Sequence, residues 1–95
     1  MTAELLEQDR FYFDENSFAE VKIWKVPQPV RGSTHFYKYP LAFIVHGECV
    51  LRYDNEAGKG DHKHLGDQEF SIPFVDLQML RRDFFAEVKR WRTKR

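Results

Sequence analysis

The residues best suited to chemistry are concentrated in one segment, Tyr53–His64, which reads YDNEAGKGDHKH. Its two histidines, His62 and His64, belong to the residue type that most readily exchanges protons near neutral pH. Asp54 and Asp61 supply carboxylates that could hold an imidazole in place. The segment therefore predicts acid–base catalysis by His62 and His64, with Asp54 or Asp61 orienting a histidine.

The same part of the chain carries groups that could bind a phosphate. Glycines allow backbone amides to approach an anion closely, and a lysine between two glycines adds positive charge. The candidate phosphate-binding residues are Lys38, Arg52, Asn55, Gly58, Lys59 and Gly60. A nucleotide-binding P-loop is excluded, because the long glycine spacing and the Ser or Thr after the lysine are both missing.

Three interpretations of this segment stay open. Cleavage of RNA without a metal ion needs a base for the 2′-hydroxyl, an acid for the leaving oxygen and cations for the phosphorane. A metal site is the second interpretation, because Asp54, Asp61, His62 and His64 are residue types that bind divalent ions. The third is structural: a polar loop that is held by its own hydrogen bonds and exposes its histidines.

The composition narrows the class of protein. A chain of 95 residues, of which 42% are hydrophobic and 16% aromatic, is expected to fold as one domain, 1–95. The formal net charge of zero argues against a generic polyanion binder, although a basic tail with five cations occupies residues 89–95. The single cysteine, Cys49, excludes an intrachain disulfide and a zinc site made of cysteines. Since no apolar run suits a signal peptide or a membrane span, we expect a cytoplasmic protein without membrane contact.

Hydrophobic alternation and turn residues predict the elements that must position these groups. Predicted strands cover Arg10–Asp14, Phe18–Val26, Phe36–Val45, Cys49–Tyr53 and Glu69–Phe74. Alternation along the second of these places Ala19, Val21 and Ile23 on one face. Residues 3–8 suit either a helical turn or an extended lead-in, and Asn55–Gly66 is predicted to be a loop. Asp76 is predicted to cap a helix that runs to about Arg92. The predicted apolar stripe of this helix is Leu77, Leu80, Phe84, Val88 and Trp91. The fold class is therefore α+β: an antiparallel meander of four to five strands with the helix packed on one face.

The hairpin between residues 36 and 53 defines two faces of the sheet. A three-residue turn, His46-Gly47-Glu48, would put six apolar or aromatic residues on one face. The predicted pairs are Val45 with Cys49, Phe43 with Leu51, and Leu41 with Tyr53. The other face then carries Lys38, Pro40, Arg52 and Asp54, where Pro40 suits only an edge or a bulge because it has no N–H.

Several strings of the sequence together resemble the TumE family, the toxin components of bacterial toxin–antitoxin pairs. The resemblance covers nearly the whole chain and is carried by Val21–Pro27, Tyr37–Tyr39, Tyr53–Asn55, Gly58–His64 and Phe84–Trp91. It implies a toxin that is neutralised by a helix-turn-helix antitoxin, and RNA cleavage is the activity usually proposed for the family. It also implies that the site lies in the matched loop, at Asp54, Asn55, Lys59, Asp61, His62 and His64. Pro40 departs from the family, whose members commonly place a basic or small polar residue there.

The sequence thus predicts an endoribonuclease that works without a metal ion or another cofactor. His62 and His64 would act as acid and base, while Lys38, Arg52 and Lys59 hold the phosphate. The alternative is a non-catalytic module that binds RNA or protein through the solvent face of the sheet and the basic tail. A homodimer is left open, as is the hypothesis that Pro40 weakens this copy.

Overall fold

The sequence folds into an antiparallel sheet followed by a single helix. A computed structural model of the protein describes residues 2–94, so Met1 and Arg95, the last cation of the basic tail, lie outside the described residues. The elements are β1 Glu4–Asp14, β2 Ser17–Lys25, β3 Tyr37–Lys38, β4 Pro40–Val45, β5 Glu48–Asp54, β6 His62–Leu65, β7 Gln68–Ser71 and α1 Leu77–Thr93. The strand order is β1-β2-β4-β5-β6-β7, with β3 also paired to β2. The α+β class is confirmed, but this part of the chain has seven strands and not four or five.

Two strands account for the difference: β6 was not predicted, and a break at Tyr39 divides the predicted strand Phe36–Val45 into β3 and β4. β1 begins at Glu4, so the extended alternative for residues 3–8 is confirmed and the helical turn is wrong. Residues 62–65 were predicted to be loop, which is wrong, because they form β6 between β5 and β7. Backbone pairing on both sides holds such a strand, whatever the polarity of its side chains.

The turn between β4 and β5 has two residues, His46-Gly47, and not the predicted three. Both have positive φ, 50° and 78°, as the two central positions of a type I′ hairpin require. The predicted pairing of Val45 with Cys49 is wrong, since Val45 lies opposite Glu48. A β-bulge near the turn corrects the register, so the other two predicted pairs are confirmed: Phe43 with Leu51 and Leu41 with Tyr53.

Helix α1 covers one face of the sheet. Asp76 is its N-cap, as predicted, with extended backbone and a carboxylate that accepts a hydrogen bond of 2.7 Å from the Met79 amide. The predicted apolar stripe is confirmed, because Leu80, Phe84 and Val88 are buried against the strands. No helix within residues 2–94 combines the length and the apolar character that crossing a membrane demands.

The sheet therefore has a covered face and a second face, here called the open face, which lies opposite α1. Ala19, Val21 and Ile23 alternate toward the covered face along β2, as predicted, and are at most 2% exposed. Leu41, Phe43, Leu51 and Tyr53 continue that apolar layer across β4 and β5. Residues that alternate with these along β4 and β5 point to the open face, and Arg52 and Asp54, two of the predicted site residues, are among them.

Candidate functional site

Strand pairing brings four of the predicted site residues together on the open face. Asp54 of β5 lies opposite His62 of β6, and Arg52 lies opposite His64. Residues two apart on a strand share a face, so the four side chains form two adjacent cross-strand pairs. The intervening Tyr53–Lys63 pair points to the covered face, where Lys63 lies 2.9 Å from Glu87 of α1.

His62 is held in one orientation by its neighbours. Its Nδ1 donates a hydrogen bond of 2.8 Å to the Gly60 carbonyl, which can only accept, and this leaves Nε2 as the nitrogen available for chemistry. Nε2 lies 2.7 Å from Asp54 Oδ1, and Asp54 Oδ2 lies 2.7 Å from Arg52 Nε. The His62 side chain is only 2% exposed, whereas that of Arg52 is 52% exposed. A chain of polar contacts thus leads from the buried imidazole to the surface.

His64 is the accessible imidazole of the pair. Its side chain is 34% exposed, and its ring meets that of His62 edge to face, with ring centroids 4.8 Å apart. Its Nδ1 lies 3.5 Å from a carboxylate oxygen of Glu69 on β7. A molecule on the open face therefore reaches His64 before it reaches His62.

A cavity of about 350 Å³ adjoins Arg52 and Asp54 on the open face, and its lining residues do not include His62 or His64. Its lining includes Lys38, Pro40, Arg52 and Asp54. Pro40 is the first residue of β4 and lies opposite Asp54. It follows Tyr39, which separates β3 from β4, two strands that otherwise pair with β2 in one continuous register. A strand start next to such a break tolerates proline, because no ladder N–H is needed there.

Asp61 does not join the His62 cluster. Its Oδ2 accepts a hydrogen bond of 2.6 Å from the Tyr39 hydroxyl and lies 2.8 Å from His35 Nε2, while its Oδ1 accepts one of 2.9 Å from Ser33. Burial, together with the hydrogen bond to Asp61, raises the pKa of Tyr39 far above its usual value, so the hydroxyl remains a donor. Asp61 thus connects β6 to the loop before β3.

His35, whose side chain is 10% exposed, is a further histidine that the sequence analysis missed. Its Nδ1 accepts a hydrogen bond of 3.2 Å from the Tyr37 amide, so Nε2 carries the proton that is shared with Asp61. Its ring stacks on Phe74 with centroids 3.7 Å apart. No local signal could have revealed this pair, because 26 residues separate His35 from Asp61.

Asn55 also ties the same loop to the sheet. Its side-chain oxygen accepts a hydrogen bond of 3.1 Å from the Tyr39 amide, and its side-chain nitrogen donates one of 2.7 Å to the Tyr37 carbonyl. Asn55 is 1% exposed. The structure gives it a structural role, and its predicted contact with phosphate stays a prediction.

The glycine loop packs against a second loop. The Gly58 amide already donates to the Arg31 carbonyl at 2.6 Å, and a Cβ on Gly32 would come within 2.8 Å of the Gly60 nitrogen. Lys59 is about half exposed and has two carboxylates near its ammonium, Glu69 at 3.6 Å and Glu56 at 3.9 Å. The predicted phosphate contacts of Gly58, Lys59 and Gly60 stay predictions.

An antiparallel sheet with one covered face and a histidine-bearing polar cluster on the other defines a small α+β protein whose polar site lies opposite the helix and reaches the surface through Arg52 and His64. The family model described as Toxin TumE matches residues 2–92, and the chain therefore belongs to the TumE family. The protein is thus a toxin of a toxin–antitoxin system, and its partner is an antitoxin. No curated protein and no solved structure matches the chain.

Proposed function

We propose that the toxin is an endoribonuclease that acts on RNA in the cytoplasm through the open face of its sheet. The observation that carries the proposal is the pairing of Arg52 and Asp54 with His64 and His62 on adjacent strands. Two imidazoles, a carboxylate and a guanidinium are thereby held within one small area beside a cavity. Strands position side chains more rigidly than a loop does, which favours catalysis.

Each step of the cleavage has a group to perform it. Lys38 and Arg52 are exposed cations that line the cavity, where they bind the scissile phosphate and stabilise its developing charge. His64, the accessible imidazole, removes the proton of the 2′-hydroxyl. His62 supplies the proton for the leaving oxygen from Nε2, while Asp54 keeps its ring in place. The reaction needs no metal ion.

Incubation of the purified toxin with total RNA, with and without EDTA, tests the proposal. The matched variants are His62→Ala, His64→Ala and, as a control, His46→Ala, which removes an exposed histidine in the β4–β5 turn. We expect cleavage by the parent in both lanes, because no metal ion takes part. Loss of one acid–base group lowers the rate by roughly 10²–10⁴-fold.

The control variant must cleave like the parent, and circular dichroism must show that His62→Ala and His64→Ala keep the fold. Undiminished cleavage by both site variants would remove the histidines from the mechanism. Absence of cleavage by both the parent and Pro40→Arg under every condition would refute the nuclease.

The second candidate is a module that binds RNA or protein without cleaving it. The observation that favours it is the burial of His62, which is 2% exposed. Such a module retains RNA binding in His62→Ala and His64→Ala and inhibits growth equally in all three proteins. Gel-shift titration of a short RNA, run beside the cleavage assay, separates the two functions.

The family resemblance also supports a proposal about the class of antitoxin that binds this toxin. We propose that the antitoxin is of the helix-turn-helix type and neutralises the toxin by direct contact. Co-purification of the toxin with the product of an adjacent gene, followed by a test of that product for DNA binding, examines this proposal. A homodimer of the toxin stays a prediction, and sedimentation of the purified protein measures it.

A further inference from the structure

Asp54, His62 and His64 form a cluster with the layout of a metal site. Each residue offers one ligand atom, and the three atoms lie within 4.8 Å of one another. The ligands come from two paired strands, with His62 directly opposite Asp54 and His64 two residues further along the same face. The backbone therefore holds the donor set together before any ion arrives.

Two of these donor atoms have no hydrogen-bond partner among the described residues. His62 Nε2 and Asp54 Oδ1 are buried, and although 2.7 Å separates them they are not aligned as a hydrogen bond. Buried polar atoms in native proteins almost always have a partner. A bare nitrogen and a bare carboxylate oxygen in contact repel each other, and a proton or a metal ion bound between them would satisfy both.

The neighbours of these ligands are those that a metal site requires. His62 donates its other nitrogen, Nδ1, to the Gly60 carbonyl at 2.8 Å, which turns the lone pair of Nε2 inward. The second oxygen of Asp54 lies 2.7 Å from the Arg52 guanidinium. Histidine ligands in metal sites are commonly fixed by a carbonyl on the far nitrogen, and carboxylate ligands by a hydrogen-bond donor.

We propose that Asp54, His62 and His64 bind one divalent transition-metal ion of the Zn²⁺ class. Two imidazoles and one carboxylate suit such an ion, whereas Mg²⁺ prefers oxygen ligands in an octahedron. Bonds of about 2.1 Å place tetrahedral ligand atoms about 3.4 Å apart. The present separations, 2.7 Å for the closest pair and at most 4.8 Å for the others, reach that value with small side-chain rotations.

The ion inhibits the toxin, because it occupies the nitrogens that cleavage requires. This consequence rests on the proposed function, but the binding of the ion does not. Zn²⁺ therefore acts in the opposite sense to a cofactor: it competes with proton transfer at His62 and His64.

The test uses the whole toxin without an affinity tag, freed of metal by EDTA and dialysis. Zn²⁺ binding is measured by calorimetry, Co²⁺ binding by visible absorption, and Mg²⁺ serves as the control ion. We expect one equivalent of Zn²⁺ or Co²⁺ and no binding of Mg²⁺. His64→Ala and Asp54→Asn each weaken Zn²⁺ binding at least about 100-fold, and Arg52→Ala weakens it roughly 10-fold.

Two control variants keep the parent affinity. His46→Ala removes a histidine of the β4–β5 turn, and Cys49→Ser removes the free thiol. Thermal unfolding provides a second measurement that also reports on folding. A fixed excess of Zn²⁺ raises Tm for the parent and both controls and raises it clearly less for His64→Ala, because weaker binding gives less stabilisation.

Failure of Zn²⁺ and Co²⁺ to bind the parent, or undiminished binding by His64→Ala and Asp54→Asn, overturns the metal site. Binding with inhibition of RNA cleavage supports both proposals. Binding without inhibition supports the site and refutes the role of the histidines in cleavage. Cleavage that appears only after Zn²⁺ is added supports the site and overturns inhibition, because the ion is then part of the catalyst.

Discussion

At the scale of single residues, Asp61 contacts three polar side chains through its carboxylate. It accepts from Ser33 and Tyr39 and is paired with His35, although its own side chain is only 8% exposed. Three polar side chains from residues 33–39 thus contact a single carboxylate. These contacts give Asp61 a structural role.

Asp61→Ala should therefore lower the free energy of unfolding by about 3 kcal/mol. Its removal leaves the Tyr39 hydroxyl and the His35 ring buried without an acceptor, and such losses cost several kcal/mol. Urea unfolding measures the change. Asp67→Ala, at an exposed turn position, serves as the control and should stay within about 0.5 kcal/mol of the parent. Equal stability of the two variants would contradict the structural role.

Cys49 offers a test of local electrostatics. Burial raises the pKa of its thiol above the usual value, and this outweighs the nearby Arg52 guanidinium, which lowers it. At any given pH the native protein then holds less thiolate than the unfolded chain does. The associated stabilisation is present below the pKa of the unfolded chain and is lost as the pH rises through that of the folded protein.

Alkylation of Cys49 by iodoacetamide should accordingly be slower in the native protein than in urea. The midpoint of the rate against pH should lie higher in the native protein, and mass spectrometry of the labelled protein gives both rates. A native midpoint at or below that of the unfolded chain would show that Arg52 dominates instead.

At the scale of elements, a comparison of Gly47 with Gly32 distinguishes the energetic cost of backbone strain from the cost of a steric clash. Gly47 and Gly32 both have positive φ, 78° and 96°, which disfavours any side chain. A Cβ on Gly47 meets nothing within 4 Å, whereas one on Gly32 comes within 2.8 Å of the Gly60 nitrogen. The first glycine forms a turn, and the second allows two loops to touch.

Gly47→Ala should lower the free energy of unfolding by about 1 kcal/mol, because only the left-handed backbone is strained. Gly32→Ala should cost clearly more, since the backbone of the 55–61 loop must also move away. Chemical unfolding of both variants gives the comparison. The contact between the loops is unimportant if the two changes prove equal.

Pro40 acts at the junction of two elements. It lies at the break between β3 and β4 and lines the cavity that contains Lys38 and Arg52. Pro40→Arg should add a third cation at the proposed phosphate site and increase growth inhibition by the toxin. Pro40→Ala is the matched control, which restores the N–H without the charge. Growth inhibition that is unchanged in Pro40→Arg refutes the hypothesis that proline weakens this copy.

At the scale of the whole molecule, the balance of charges limits how RNA can be held. Acidic and basic residues are equal in number, 15 each, so long-range attraction to a polyanion is small. The open face nonetheless carries Lys22, Lys38 and Arg52, each on a strand of the sheet. Local cations, and not the overall charge, must supply the affinity.

RNA binding by the whole toxin should therefore depend only weakly on salt. Three phosphate contacts on a single strand predict a slope of about −2 for log K against log salt concentration. Fluorescence anisotropy of a short labelled RNA between low and moderate salt measures this slope. A slope near −5 would require the basic tail to take part and would favour the binding module.

The sequence by itself determined the layers of the molecule. Alternation placed Ala19, Val21 and Ile23 on the covered face, and spacings of three and four gave the buried stripe of α1. Two of the three predicted hairpin pairs are also confirmed, because sidedness leaves few registers that keep apolar residues inside. These features follow from local or periodic patterns, which are present in the amino-acid sequence itself.

Only the tertiary structure decided how the polar residues are distributed. The sequence groups Asp61 with His62 as neighbours, yet alternation along the backbone sends Asp61 to His35 and leaves His62 with Asp54. The hydrophobic pattern of the sequence did not predict β6, because a polar strand is defined by its backbone partners and not by its side chains. A site assembled across strands depends on contacts between distant residues, and single-sequence periodicity contains no information about these.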